Sequence, residues 1–304
     1  MKTINRMPVK TWNWLKMNEV SLEEPGEISS TEPIVVQATE DGQVSDLPFV
    51  FEDGTNTGGK IEISVDGDIN HIAVMDFKNN GSGFASVDTQ IKLAKKSRLT
   101  LVQVHRLGDK FRFTGRIDAD VDEKADFRLI QVFIRGHEIY TDVQTDLRAR
   151  KSALHIDTGY LTTGDDILDI NYNARHTGAL SMSDILVNGA MTGKSEKRFR
   201  GTIDFRHGAE GATGNELENV LLMDPDVVNK TIPIILCEEE DVEGNHGATI
   251  GRLNDESMYY MMSRGMDEAS IREMMKTAYI SAALRLVPGE ASHIVERIIE
   301  EEQL

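Results

Sequence analysis

From Ile34 to about Cys237 apolar and polar residues alternate with a period of two in one short segment after another: "KIEISVDGDI", "RLTLVQVHRL", "KFRFTGRIDADV", "FRLIQVFIRG", "DILDINYNA", "RFRGTIDF" and "TIPIILC". Successive side chains on a strand point to opposite faces, so each segment predicts a strand with one buried side, and the Gly, Asn and Asp residues between segments supply the turns. No amphipathic run long enough for a crossover helix separates them. A doubly wound sheet is therefore not expected, and a sandwich, a barrel or a β-helix remains. Echoes such as "GRIDADV" against "GTIDFRH" are too loose to define a fixed repeat, and the pattern leaves the three open.

After Asn254 the period becomes helical. "NDESMYYMMSRG" starts with Asn or Asp at an N-cap and stops at Gly265; "DEASIREMMKTAYISAALRLVPG" opens at Asp267 and ends before Pro288 and Gly289; "EASHIVERIIEEE" predicts a third helix. Ile271, Met274, Met275, Ala278 and Ala282 recur at helical spacing and predict one apolar face that packs on the β body, although a methionine-rich stripe also suits a partner surface. At the other end, residues 1 to about 20 read as a short helical arm around Trp12, Trp14 and Leu15, able to dock on the body, followed by the acidic connector "SLEEPGEISSTEP". The expected organisation is an arm and linker (1–33), a mainly β core (34–253) and a C-terminal helical region (254–304).

Composition narrows the function. A chain of 304 residues buries a substantial core without staples, and its single cysteine, Cys237, excludes an intrachain disulfide and a cysteine-rich zinc site, so a reducing, cytoplasmic setting is expected. Neither a signal-type apolar run at the start nor any membrane-length apolar stretch is present, and no membrane association is expected. A net charge of −18 argues against nucleic acid, whose binders need a basic stripe; the small clusters "KLAKKSR" and "KSEKRFR" read as solvated edges.

The motifs give little support for catalysis. "NGAMTGKS" imitates a phosphate-binding loop, but Asn188 stands where the first glycine belongs, and the following "EKRFRGTIDF" alternates like a strand, so a corner turn is expected. The eight histidines are scattered without a helical i, i+4 pair, and no Gly-x-Ser-x-Gly elbow occurs. Asp165 and Asp166 read as a solvated acidic face. In "VEGNHGAT" the plain reading of His246 is a turn residue between glycines of positive φ, its imidazole bonded locally. No catalytic residue is expected, and the motifs assign no residue to an organic cofactor.

"HGATIG" followed by "MYYMMSRGMDEASIREMM", and upstream "GKSEKRFRGTIDFRHGAEGATGNELENVLLMDP", resemble the conserved segments of the SufB/SufD family, the scaffold subunits of the SUF iron-sulfur cluster assembly machinery. The likeness is clear from about residue 175 to 280. It implies a right-handed parallel β-helix with helical terminal segments, in a short form lacking the larger N-terminal helical domain of full-length SufD proteins. The stretch "LLMDPDVVNKTIPIIL" lacks the cysteine of SufB-like chains, so the chain looks SufD-like. The resemblance further implies a non-catalytic scaffold that pairs through its β-helix edge with a SufB-like subunit, or with itself as a homodimer, and docks a SufC-type ATPase through its C-terminal helices.

On that reading His246 is carried over as the interface histidine, while Gly244 and Asn245 replace the family's usual Cys-Ser. Cys237 and Glu243 are weaker candidate ligands for a transient iron-sulfur cluster shared with the partner, an imidazole being a serviceable iron ligand. Tyr259, Tyr260 and Arg264 are the candidate ATPase-docking residues. A β-helix enzyme acting on polysaccharide is the competing class, and it would have no use for the helical tail.

Overall fold

A computed structural model describes residues 1–11, 13–253 and 255–302, the side chain of Asp255 excepted; Trp12 and Asn254 of the sequence reading lie outside the described residues. An antiparallel hairpin, β1 (Lys2–Ile4) with β2 (Val20–Leu22), precedes the body. One parallel sheet then runs through β3 (Ser29–Ser30), β4 (Ile34–Ala38), β6 (Thr55–Val65), β8 (Ser82–Leu93), β10 (Lys110–Val121), β12 (Glu138–Leu147), β14 (Ile167–His176), β16 (Glu196–Phe205) and β18 (Val228–Cys237). A second holds β5 (Gln43–Val50), β7 (Asn70–Lys78), β9 (Arg98–Arg106), β11 (Asp126–Arg135), β13 (Ala153–Thr162), β15 (Met182–Met191), β17 (Ala212–Leu222) and β19 (Val242–Arg252). Three helices close the chain: α1 (Asp255–Ser263), α2 (Glu268–Leu284) and α3 (Ser292–Glu302).

From β4 onward consecutive strands alternate between the sheets, and each strand pairs in parallel with the strand two ahead, which is a parallel β-solenoid. The register explains why no repeat is visible in the sequence. It advances 26 residues from Arg112 to Glu138 but 32 from Glu196 to Val228, so corner length drifts while strand alternation holds. Alternation fills the interior: Phe111, Phe113, Ile117, Ala119 and Val121 of β10 face Phe127, Leu129 and Phe133 of β11, all buried. His105 lies in this core between Phe77 and Phe133, with ring centroids 4.9 and 4.6 Å away. Burial pushes its pKa down to about 3, so it is a neutral core ring.

The outer faces are covered differently. On the second sheet, Val102, Val104, Ile130 and Val132 receive Ile280 and Ala283 of α2 and Ile294 and Ile298 of α3. Gly159 on β13 makes the close approach possible, since a β-carbon there would sit 2.8 Å from Ala283 Cβ and 2.9 Å from the Tyr279 carbonyl oxygen. Asp267 caps α2 by accepting from the Ser270 amide, and Gly265 takes φ 92° between α1 and α2, both as expected. The predicted packing face is only half right. Ile271 is buried, but Met274, Ala278 and Ala282 face solvent, because the helix rolls to put Ile280 and Ala283 on the sheet.

On the first sheet the N-terminal arm is the cover. It is a β-hairpin with a single helical turn at Asn13–Leu15 rather than a helix, and Met7, Met17 and Val20 are buried beneath it. Arg200 fastens it: Nε donates to the Met17 carbonyl at 2.5 Å and Nη1 to Asp169 Oδ1 at 2.5 Å, an oxygen that also receives Asn5 Nδ2. "KSEKRFR" is thus not a solvated edge. Arg200 is enclosed under the arm and Lys197 inside the solenoid, each beside a carboxylate that makes burial tolerable. "KLAKKSR", in contrast, is an exposed corner with Lys95 on Glu123 and Lys96 on Asp68.

Candidate functional site

The solenoid ends on two unpaired parallel edges, β18 and β19, with no described element stacked on them. His246 lies inside β19, paired in register with Glu216 of β17, and neither Gly244 nor Gly247 has a positive φ; the turn expected for "VEGNHGAT" is a strand. The turn-like composition has a packing cause. A β-carbon on Gly244 would sit 3.1 Å from Phe205 and 3.2 Å from Ile235, both interior residues, so a bare backbone closes this part of the coil. Gly244 therefore faces inward and, by alternation, so does His246, exposed at the open end of the interior column.

One coil below lies a charged cluster that sequence reasoning missed. Lys197, Glu216 and Glu218 are 0, 4 and 1 % exposed. Lys197 Nζ donates to Glu218 Oε1 and to Thr231 Oγ1 at 3.0 Å, and Thr231 Oγ1 donates to Glu218 Oε2 at 2.6 Å. Glu216 Oε2 has no hydrogen-bond partner. Burial, reinforced by the charge of Glu218 and offset by Lys197, pushes the Glu216 carboxyl up to about 8, so it is mainly protonated at neutral pH. Burial also lowers the Lys197 pKa, against the pull of Glu218. The available signal was parity: in "NELENVLL" Glu216 and Glu218 share the apolar face of Val220, as Lys197 shares that of Phe199.

The other predicted ligands do not converge on His246. Cys237 pairs with Phe205 at the far end of β18, beyond the Ile235–Gly244 contact; it is exposed rather than a buried hydrophobe, and its thiol donates to the Glu239 carbonyl at 3.1 Å. Glu243 lies on the face of β19 opposite to His246 and accepts from Asn245. The chain alone thus offers one imidazole at the centre of the open end and a thiol at its corner. Iron-sulfur clusters are held mainly by thiolates, so this donor set is incomplete without a second surface.

On α1, Tyr259 and Tyr260 are 75 and 58 % exposed, and the Arg264 guanidinium sits 5.0 Å from the centre of the Tyr260 ring. Tyr260 and Arg264 thus pair at the surface, and Tyr259 is exposed on the same helix. "NGAMTGKS" is a strand end and a corner: Gly193 takes φ 71° and its amide donates to the Asp224 carboxylate, an anion already occupying that donor. No helix of the described residues is long and apolar enough to cross a membrane.

The chain is 29% identical over 115 residues to the iron-sulfur cluster assembly protein SufD of Bacillus subtilis (38% of this chain, 26% of that protein). It is 27% identical over 153 residues to SufD of Escherichia coli (49% and 36%) and 23% identical over 184 residues to a SufBD family iron-sulfur cluster assembly protein of Mycobacterium leprae (60% and 20%). The matched region therefore spans about a fifth to a third of the length of these relatives. The family model for the SUF system FeS cluster assembly SufBD core domain matches residues 52–279, from just before β6 into α2, and the chain belongs to that family.

Proposed function

We propose that the chain is a non-catalytic scaffold subunit of a SUF-type iron-sulfur assembly complex, pairing with a SufB-like subunit across β18 and β19. The observation that carries this is the open end: two unpaired parallel edges framing an inward-facing, exposed His246. Unpaired strand edges are templates for another sheet, and a paired one would close the coil over the histidine. The cluster is cargo in this reading. His246 supplies one nitrogen ligand, the partner supplies thiolates, and the Glu216 carboxyl beneath holds a proton that it can yield when positive charge arrives above it.

The second half of the proposal is that a SufC-type ATPase docks on α1 through Tyr259, Tyr260 and Arg264, so that ATP hydrolysis belongs to the partner. The exposed aromatic pair with its stacked arginine has the composition of an interface centre. The test is anaerobic affinity purification of the tagged chain from its native cells, with co-eluting proteins identified by mass and iron and sulfide assayed. Co-elution of a SufB-like subunit and an ATPase is expected. Recovery of the ATPase alone would replace the heterodimer by a homodimer, and elution of the chain without either protein would overturn the proposal.

A further inference from the structure

The corners at which the chain passes from the second sheet to the first stack upon one another along the solenoid. Between β11 and β12 the corner is Gly136–His137, and one coil on, between β13 and β14, it is Thr163 to Asp166. The Ile167 amide donates to the His137 carbonyl at 2.7 Å and locks the two corners together. Asp165 and Asp166, read from sequence as a solvated acidic face, thereby meet an imidazole. His137 Nδ1 lies 3.9 Å from Asp165 Oδ1 and 4.0 Å from Asp166 Oδ1.

Three observations indicate that this gap is built rather than incidental. His137 Nδ1 is buried and has no hydrogen-bond partner, a costly state for a ring nitrogen. Asp166 is 9 % exposed; its Oδ2 accepts from the Thr163 amide and hydroxyl, which fixes the carboxylate and leaves Oδ1 facing the imidazole. Among the described residues no other three His, Cys, Asp or Glu side chains bring donor atoms within 4.8 Å of one another.

A separation near 4 Å is too long for a hydrogen bond, but it admits an ion with metal–ligand distances of about 2.0–2.2 Å. We propose that His137 Nδ1, Asp165 Oδ1 and Asp166 Oδ1 form a site for one divalent transition-metal ion of the Zn²⁺ type, with water completing its coordination. One neutral imidazole and two carboxylates balance the double charge. The mixed nitrogen and oxygen donors, without thiolate, favour such an ion over Ca²⁺ or Mg²⁺, which prefer all-oxygen shells. Bound there, the ion ties two adjacent coils together at a corner in the middle of the solenoid, away from the open end and independent of its function.

The test is titration of the purified full chain with Zn²⁺, read by calorimetry and by thermal melting. The chain should bind one Zn²⁺ and gain in melting temperature with metal concentration, as linkage requires. Asp165→Asn, at an 87 % exposed side chain where folding is spared, and His137→Gln should each weaken binding at least about tenfold and abolish the melting shift. Cys237→Ser and His246→Ala should leave both intact. No Zn²⁺ bound at micromolar concentration, or binding removed by Cys237→Ser or His246→Ala but not by Asp165→Asn, would overturn the site.

Discussion

Gly201 and Glu216 face each other across the solenoid interior, and a β-carbon on Gly201 would overlap the Glu216 carboxyl group. The glycine is what gives a buried acid room beneath His246. Gly201→Ala must displace either the carboxyl or the strand, and a cost of about 1–3 kcal/mol is expected, as for other overpacked interiors. Chemical denaturation of the two proteins at pH 6 measures it; Glu216→Ala in the same background should recover most of the loss, whereas a loss unchanged by the second substitution would mean that the strain lies elsewhere.

The Glu216 carboxyl also gives stability a pH dependence. Its folded pKa, about 8, lies above the unfolded value of about 4.3, so the folded chain holds a proton that the unfolded chain releases between those limits. Stability from this group is fully present below about pH 4.3 and is lost as pH rises toward 8, with a slope of up to about 1.4 kcal/mol per pH unit. Glu216→Gln cannot ionise. Denaturation midpoints at pH 6 and pH 8.5 should therefore fall less with pH in the variant than in the parent.

Arg200 sets how firmly the arm is held. Replacing it with Met leaves the buried Asp169 with Asn5 and, 3.7 Å away, Arg198 as its remaining partners, and breaking a buried pair costs about 3–5 kcal/mol. Limited proteolysis should then cleave within residues 1–24 while the solenoid survives. If the whole solenoid is digested together with the arm, the arm is an integral part of the core rather than a cover.

The strands were legible because alternation is local, and so were the stop of α1 at Gly265 and the start of α2 at Asp267, which act through their own backbone neighbours. What escaped depends on contacts between coils. Corner lengths vary freely at the surface, so a register that steps by 26 and then by 32 residues leaves no period to find. The arm looked helical around Leu15, yet the burial of Met7, Met17 and Val20 is decided by a sheet assembled far along the chain. Arg200 and Lys197 looked solvated because their partners, Asp169 and Glu218, are remote in sequence. His246 was singled out, but its place in a strand depended on Phe205 and Ile235 crowding Gly244. Glu216 was missed because a carboxylate on an apolar face is read as an error of alternation unless its partners are known.

Gly159 controls the seating of α2. A β-carbon there meets Ala283 and the Tyr279 carbonyl at under 3 Å, so Gly159→Ala should lift the helix and cost about 1–3 kcal/mol. Hydrogen exchange is the informative readout: amides of residues 268–284 should lose protection while those of β10 and β11 keep it. Equal loss in both would show that helix and solenoid unfold as one unit.

His246 separates assembly from chemistry. Its side chain is exposed and makes no described hydrogen bond, so His246→Ala should change stability by less than about 0.5 kcal/mol, as at other open surface positions. The edges β18 and β19 that frame it use backbone groups for pairing, which the substitution does not touch. The variant should therefore co-purify with the same partners as the parent. On the proposed scaffold reading its yield of iron and sulfide per complex should fall several-fold, because that reading makes His246 the one nitrogen ligand and assigns the thiolates to the partner. Histidine is distinguished from mere bulk by His246→Gln, which fills similar space without a comparable metal ligand and should fail in the same way. Iron and sulfide at parental levels in both variants, with partners retained, would remove His246 from cluster handling and leave the open end a docking surface alone.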